Sequence, residues 1–267
     1  MKKFKPLVSV VINCHNGEKY LKDCIRSIIN QSYINWEIIF WNNHSTDKST
    51  EIIKSYKNKK IKKFNSKKFE KLYKARNMAI QKARGKFITF LDVDDYWKKN
   101  KLQNQIDIIN KFKGKIKMIY SNYYIRDEIK DKTKLKFKKK LPSGFITQEL
   151  LNSYDIGILS VMIDKNVFKK KKFNLNYDII GDFDFFINFS LKNKIAVSQK
   201  PLAVYRLHGD NLSTKKINLY EREIKHWLNM HKNSKKYSNF SLTSVKILLL
   251  KLKIKKFVKF FFKILGV

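Results

Sequence analysis

Short apolar runs and helical repeats alternate over the first 110 residues of this 267-residue chain. The runs lie at residues 7–12, 36–41, 61–64 and 87–91, and apolar residues recur at helical spacing between them. This alternation predicts an α/β fold, with a mostly parallel sheet, right-handed crossovers and helices on both faces. Ligands of such sheets bind beyond the carboxyl ends of the strands. We therefore expect the functional site at that edge.

Three polar segments are predicted to meet there. They are residues 13–16 (Asn-Cys-His-Asn), 42–45 (Asn-Asn-His-Ser) and 92–95 (Asp-Val-Asp-Asp). Side chains alternate along an extended chain, so Asp92 and Asp94 point to one side and Asp95 to the other. Two carboxylates on one side suit Mg²⁺ or Mn²⁺, and a cation held there would carry phosphates. The alternative is a solvated acidic turn that opens the following helix.

The net charge of +37 comes almost entirely from lysine, because only six of the 59 basic residues are arginine. Such a field attracts anionic partners, including nucleotides, nucleic acid and acidic lipid. Cys14 and Cys24 form neither a metal-binding spacing nor a disulfide framework, which is typical of a reducing cytosol. The run at 7–12 is too short for a signal-peptide core or a membrane span. We therefore expect a cytoplasmic location.

Four segments resemble, in order, the motif set of the family 2 glycosyltransferases. They are residues 8–16, 41–47, 75–77 and 90–95, and a fifth, Tyr-Arg-Leu-His at 205–208, is similar to the family's closing segment. The resemblance extends over about residues 6–212. It implies a single GT-A type domain, with a nucleotide-sugar-binding half at 1–110 and an acceptor-binding half at 111–215. It also implies a nucleotide-diphosphate sugar as donor, Mg²⁺ or Mn²⁺, and inversion at the anomeric carbon.

The resemblance places Asn13 and His15 against the nucleotide, with His15 where the family usually has tyrosine. Asn42 and Asn43 replace a more usual pair of acids, the second of which accepts a hydrogen bond from the base. An asparagine carbonyl also accepts that bond, but its amide donates as well, which leaves the choice of base open. An ordinary polar turn before a helix is the alternative interpretation of the two asparagines.

Four more residues complete the donor side that the resemblance implies. Arg76, on the helix before the aspartates, would reach the diphosphate, since a guanidinium group suits bidentate phosphate contact. Asp94 and Asp92 would hold the metal, and Asp92 would also lie against the donor. His208 would contact the metal or the diphosphate, and a purely structural histidine is the alternative.

Asp182 is the predicted general base. The pair Gly181-Asp182 stands where the family commonly has Glu-Asp at the start of a helix, with the aspartate as base. A carboxylate is needed to take the proton from the acceptor hydroxyl as its oxygen attacks the anomeric carbon. A helix N-cap is the alternative role. Asp184 is two residues further on and faces away in a helix, so we expect it to be supportive.

The segment 216–267 is predicted to be a helical, membrane-associating tail. Its final 24 residues place Lys251, Lys255, Lys259 and Lys263 at four-residue intervals. The other side carries Leu250, Ile254, Phe257, Val258, Phe261 and Leu265. A basic amphipathic helix of this kind lies in an anionic bilayer surface. The alternative is a helix that packs its apolar stripe on the catalytic domain.

These observations predict a peripheral, metal-dependent glycosyltransferase at the cytoplasmic face of the cell membrane. Its acceptor would be a lipid-linked or cell-surface polysaccharide precursor. A basic nucleic-acid-binding module is one alternative, although no zinc spacing, RNA-binding signature or recognition-helix motif supports it. A family member that binds sugar nucleotides without catalysis is another, because Asn42 and Asn43 depart from the usual acids.

Overall fold

The structure, a computed structural model, describes residues 5–209, 211 and 215–264, with side chains of the last helix described as far as Phe257. In these ranges the strands are β1 (Val8–Cys14), β2 (Trp36–Asn42), β3 (Ile61–Asn65), β4 (Phe87–Phe90), β5 (Tyr96–Trp97), β6 (Met118–Asp127), β7 (Lys132–Leu135), β8 (Met162–Asp164) and β9 (Ala196–Leu207). The α-helices are α1 (Glu18–Ile29), α2 (Ser49–Ser55), α3 (Leu72–Lys82), α4 (Lys101–Lys111), α5 (Thr147–Asn152), α6 (Asn166–Lys170), α7 (Gly181–Ser190), α8 (Ile217–His231) and α9 (Thr243–Ile264).

The first half of the sheet is parallel, as the alternation predicts. Its strands lie in the order β3-β2-β1-β4, with Val8 in register with Trp36 on one side and with Phe87 on the other. Every residue of β2 and β4 is buried, because helices cover both faces of the sheet. The strand order turns at β1, so the carboxyl ends of β1 and β4 open a crevice between them.

Antiparallel strands carry the same sheet into the second half of the chain. Strand β8 joins β4 to β6, antiparallel to both, and β9 then runs parallel to β6 over most of its length. The short strand β5 pairs antiparallel with β9, at Tyr96 and Trp97. This pairing brings the end of β9 beside the turn that follows β4.

Side-chain alternation along β1 divides the apolar core between the two faces of the sheet. Val10 and Ile12 lie in the cluster that includes α1 and α4, whereas Val11 lies in the cluster that includes α3, α7 and α8. Trp227 of α8 is fully buried in the second cluster. Helix α8 is therefore an integral part of the domain's core.

Helix α9 packs on α8 and α5 and leaves a second apolar face uncovered. Val245 and Leu252 are buried, and Lys256 Nζ lies 3.0 Å from Glu221 Oε2 of α8. The exposed apolar residues, at spacings of three and four, are Ile247, Leu250, Ile254 and Phe257. One face of α9 therefore packs on the domain, which was the alternative interpretation of the tail, and membrane contact by the exposed face stays a prediction. The predicted apolar residues Val258, Phe261 and Leu265, with Lys259 and Lys263, lie outside the described side chains.

Among the helices of the described residues, none combines the length and the apolarity needed to cross a bilayer.

Candidate active site

The three predicted loops meet at the carboxyl ends of β1, β2 and β4. His15 Nδ1 lies 3.1 Å from the carbonyl oxygen of Asn43. The backbone N–H of Gly17 donates to Ser49 Oγ at 2.9 Å. A Cβ atom on Gly17 would lie 2.6 Å from Val93 Cγ2, so only glycine lets the β1 loop approach the aspartate loop this closely.

Asn42 and Asn43 tie the β2 loop to its neighbours. Asn42 Oδ1 accepts a hydrogen bond from the backbone N–H of Ser45 at 3.0 Å. Asn43 Nδ2 donates to the carbonyl oxygen of Glu70 at 2.8 Å, and its Oδ1 accepts from the N–H of the same residue at 3.0 Å. An ionised aspartate at position 43 would accept the second bond but would repel the carbonyl in the first. This clamp accounts for asparagine at position 43.

His15 and Phe69 form an exposed aromatic pair at the mouth of the crevice. Their ring centroids lie 4.6 Å apart in an edge-on arrangement, and Phe69 is 56% exposed. The sequence analysis missed Phe69, although an isolated phenylalanine in the polar segment before α3 was a signal. Asn13 Oδ1, near the end of β1, is buried and has no hydrogen-bond partner among the described residues.

The aspartates after β4 form a tight turn that separates their roles. The N–H of Asp95 donates to the carbonyl oxygen of Asp92 at 3.0 Å, and Asp95 Oδ1 is buried and accepts from the N–H of Arg206. Asp94 Oδ2 lies 3.0 Å from His208 Nε2. Burial raises the pKa of Asp94, the charge of Asp92 adds to the rise, and the hydrogen bond from His208 opposes it. Asp92 and Asp94 are thus left partly exposed, beside a histidine from the end of β9.

Arg76 lies buried between the aspartate turn and the predicted base. Its Nη2 is 2.5 Å from Asp92 Oδ1, and its guanidinium carbon is 5.3 Å from the ring centroid of Tyr73. Burial raises the pKa of Asp182, and the positive charge of Arg76 opposes that rise. In this structure Arg76 holds Asp92, and its contact with a diphosphate stays a prediction.

Two tyrosine hydroxyls hold the carboxylate of Asp182. Tyr73 of α3 lies 3.0 Å from Oδ1, and Tyr154, which follows α5, lies 3.2 Å from Oδ2. Burial raises the pKa of Asp182, whereas Arg76 and the two hydroxyls act against that rise. Neither tyrosine has a local sequence relation to Asp182, so sequence reasoning missed both.

The N-cap alternative for Asp182 does not match the geometry. Helix α7 has Ile180 at its N-cap position, without a side-chain hydrogen bond. Glu223 of α8 instead accepts from the N–H groups of Asp178, Ile179 and Ile180 at 2.7 to 3.1 Å. Glu223, and not Asp182, therefore holds the backbone that leads into α7.

Gly181 is required by the position of Tyr73. A Cβ atom at residue 181 would lie 2.5 Å from the Tyr73 ring. The tyrosine thus occupies the space next to the helix start where the family commonly places a glutamate. Asp184 lies away from this contact, since its Oδ1 accepts from Trp227 Nε1 at 3.1 Å and from Asn188 Nδ2 at 2.8 Å. Its role is structural.

The residues present fit a divalent cation that shares its coordination with phosphates. In the described part of the chain, no group of three or more histidine, cysteine or acidic residues is placed to hold a metal ion. Magnesium, however, is commonly bound through one or two carboxylates together with substrate phosphates and water. Asp94, with Asp92 and His208 beside it, provides such an oxygen-rich, partial site.

A family model described as glycosyl transferase family 2 matches residues 9–180. The chain belongs to this family and is a glycosyltransferase, and its α/β fold, with a GT-A-like domain, is the predicted one.

Two curated relatives are informative. Bacillus subtilis TuaG, named for teichuronic acid biosynthesis, is 31% identical over 62% of this chain, and the match spans 65% of that relative's length. The Escherichia coli protein WfgD is a UDP-Glc:alpha-D-GlcNAc-diphosphoundecaprenol beta-1,3-glucosyltransferase. It is 28% identical over 81% of this chain and 83% of its own length.

Solved structures share the fold at low sequence identity. Staphylococcus aureus TarS 1–349 in complex with UDP aligns with 92% of this chain and 70% of its own, at a TM-score of 0.61 and 17% identity. The mannosyltransferase PcManGT of Pyrobaculum calidifontis, in complex with GDP-Man and Mn²⁺, covers the same shares at a TM-score of 0.67 and 11% identity.

Proposed function

We propose that this protein transfers a sugar, with inversion, from a nucleotide-diphosphate donor to a hydroxyl of a lipid-linked or cell-surface polysaccharide precursor. The observation that carries the proposal is the half-buried carboxylate of Asp182, which is held by two tyrosine hydroxyls and lies within the electrostatic influence of Arg76, the residue paired with Asp92 of the aspartate turn. A general base and a phosphate-binding edge then lie on the two sides of one buried arginine. The donor half is residues 1–110 and the acceptor half is 111–215.

The donor binds at the ends of β1, β2 and β4. The exposed rings of His15 and Phe69 offer faces to a nucleobase. A hydrogen-bond donor on the nucleotide would pair with the buried Oδ1 of Asn13. Asn43 holds the loop after β2 in place. A sugar nucleotide as donor is supported by TarS, solved with UDP and with UDP-GlcNAc, and by PcManGT, solved with GDP-Man.

Asp92, Asp94 and His208 would hold Mg²⁺ or Mn²⁺, whose charge when bound offsets the charge of the departing diphosphate. The Mn²⁺ in the PcManGT complex supports this assignment. Arg76 donates a hydrogen bond to the Asp92 carboxylate and so keeps it in place.

Asp182 takes the proton of the acceptor hydroxyl. The hydroxyl oxygen forms its bond to the anomeric carbon while the bond from that carbon to the diphosphate oxygen breaks, on the opposite face of the sugar. One displacement inverts the anomeric centre. Because burial raises the pKa of Asp182, its carboxylate is a stronger base than an exposed aspartate.

The proposed acceptor is presented at the cytoplasmic face of the cell membrane. Relatives with names that refer to diphosphoundecaprenol-linked and teichuronic acid substrates support a lipid-linked or surface-polymer precursor. The exposed apolar face of α9, with Lys251 and Lys255 on the same helix, fits an anionic bilayer surface.

A donor screen by thermal unfolding, with and without Mn²⁺, tests the proposal first. A ligand that binds the native state raises the unfolding temperature, so we expect one nucleotide sugar to do so only when the metal is present. NMR of the product then gives the anomeric configuration. Binding without transfer would indicate a non-catalytic family member. RNA binding that weakens as the salt concentration rises, and that is unchanged in Asp94→Ala, would indicate a nucleic-acid-binding module.

A further inference from the structure

A cavity of about 400 Å³ lies between α8 and the segment that leads into α7, outside the site described above. Its walls combine apolar and charged side chains: Lys71, Tyr177, Asp178, Leu219, Arg222 and His226. His226 stacks edge-on against Tyr177, with ring centroids 6.0 Å apart. The cavity is open to solvent, because Arg222 and His226 are exposed.

The charged lining of this cavity consists of three basic side chains, Lys71, Arg222 and His226, and the carboxylates of Asp178 and Glu223. The carboxylate of Glu223, although it belongs to the lining, is committed to three backbone N–H groups. Asp178 Oδ2 lies 3.3 Å from Lys71 Nζ, which offsets one negative charge with one positive charge. Arg222 and His226 remain on the α8 wall, where the planar guanidinium group suits phosphate oxygens.

The cavity is next to the proposed base. The Tyr73 hydroxyl lies within hydrogen-bond distance of both Asp182 Oδ1 and the carbonyl oxygen of Ile179, the residue after Asp178. On α8, Tyr220 lies close enough to Asp182 for that carboxylate's charge to raise the tyrosine pKa, after the larger effect of burial. Leu219 and Arg222, on either side of Tyr220 in sequence, line the cavity.

The same helix connects the cavity to α9. Glu221, next to Arg222 in sequence, pairs with Lys256 of α9 at 3.0 Å. Helix α9 also carries the exposed apolar face that includes Ile254 and Phe257. Helix α8, which provides one wall of the cavity, is therefore paired with the helix proposed to contact the membrane.

We propose that this cavity binds the phosphate group at the reducing end of a lipid-linked sugar acceptor. In such an acceptor the phosphate sits at one edge of the sugar and the reacting hydroxyl at another. A phosphate held by Arg222 and His226 leaves the sugar to lie toward Asp182 and the lipid to leave toward α9. The inference rests on the proposed transfer reaction, and it assigns the acceptor's charged group to a place in the fold.

The test measures binding of geranyl diphosphate, which carries the charged group and an isoprenoid chain but no sugar. Isothermal titration on the full chain is done with UDP present in excess, so that the donor site is blocked. We expect Arg222→Ala and His226→Ala to weaken binding, the former about tenfold, the size of one lost charge-assisted hydrogen bond. Geraniol serves as the uncharged comparison.

Lys225→Ala is the matched control, because Lys225 is exposed on the same helix but does not line the cavity. It removes one positive charge and is expected to leave the affinity unchanged. An equal loss for Lys225→Ala and Arg222→Ala would show attraction by the overall charge and overturn the proposal. Wild-type protein that binds the diphosphate no more tightly than geraniol would also overturn it. This titration measures neither donor binding nor transfer. A wild-type protein that fails in separate assays of those two activities would count against the proposed function.

Discussion

The donor edge and the acceptor side of this protein are built in different ways. At the donor edge, loops that directly follow β1, β2 and β4 meet because parallel strands end together, and hydrogen bonds such as those between Asn43 and Glu70 hold them. On the acceptor side, Asp182 depends on Tyr73 from α3 and on Tyr154 after α5, and Glu223 from α8 holds the approach to α7. The donor edge thus follows from topology, and the acceptor side from packing.

Helix α3 is where the two regions join. Arg76 pairs with Asp92 at the donor edge, while Tyr73, one turn earlier, contacts Asp182. The ring of Tyr73 also lies beneath the guanidinium group of Arg76. Substitutions on the two sides should therefore separate donor binding from turnover, and substitutions on α3 should affect both.

Asp94→Ala should have the largest effect, with loss of transfer and of metal-dependent donor binding. It removes a carboxylate that water replaces poorly as a ligand for a hard cation. The measurements are turnover and thermal shift with donor and Mn²⁺. Asp131→Ala, which removes an exposed carboxylate from the β6–β7 hairpin, is the control. Full activity of Asp94→Ala in metal-free buffer would contradict the assignment.

Asp182→Asn should keep donor affinity while turnover falls by about 10²- to 10⁴-fold, the usual contribution of a positioned general base. Titration with the nucleotide and a transfer assay separate the two quantities. Asp184→Asn is the matched control, and it should change stability through Trp227 more than turnover. If donor binding fell as far as turnover in Asp182→Asn, the aspartate would be structural.

Gly181→Ala should destabilise the fold by about 1–3 kcal/mol, the usual cost of overpacking a filled site. The added Cβ would lie 2.5 Å from the Tyr73 ring. Denaturant unfolding measures the loss, and turnover should fall as well because Tyr73 is displaced from Asp182. Combining Gly181→Ala with Tyr73→Leu should recover part of the stability but not the turnover. Unchanged stability of the single variant would show that the contact relaxes freely.

Tyr73→Phe should move the acid limb of the turnover profile to higher pH. The tyrosine hydroxyl lowers the pKa of Asp182, so its removal raises that pKa. The base works only when ionised, and turnover is then lost at a higher pH as the solution is acidified. Tyr154→Phe should act in the same direction, since its hydroxyl contacts the other oxygen. An acid limb at unchanged pH would show that the tyrosine hydroxyl does not influence the pKa of the base.

The smallest effect is expected on α9, where Ile254→Gln with Phe257→Gln should weaken binding to anionic vesicles at all salt concentrations. Lys251→Gln with Lys255→Gln should weaken it mainly at low salt, because each lysine contributes about 1 kcal/mol near an anionic surface. Sedimentation with vesicles measures both pairs. Transfer to a water-soluble acceptor should be unchanged. Unchanged vesicle binding of the Ile254→Gln, Phe257→Gln variant would argue against insertion of this face into the bilayer.

The structure also changes how the membrane hypothesis should be tested. Removal of residues 244–267 would expose the core, because Val245 and Leu252 are buried against the domain. A melting temperature lowered by that truncation would therefore say nothing about membrane binding. Surface substitutions at exposed positions such as Phe257 avoid this ambiguity.

The sequence by itself determined the parallel half of the sheet and the three loops at its edge. Apolar periodicity defines β1, β2 and β4, and parallel strands place their carboxyl ends together whatever the side chains are. The family followed from motifs at those ends, and the family model confirmed it. Local pattern is sufficient here because each motif lies within a few residues of the strand that positions it.

Only the tertiary structure decided the surroundings of Asp182. Tyr73 and Tyr154 lie 109 and 28 residues away in sequence, and Glu223 reaches the start of α7 from more than 40 residues further on. Neither periodicity nor spacing relates such distant positions. Their contacts arise because side chains of α3, α7 and α8 share one close-packed core, where shape complementarity selects the neighbours and burial makes each hydrogen bond necessary.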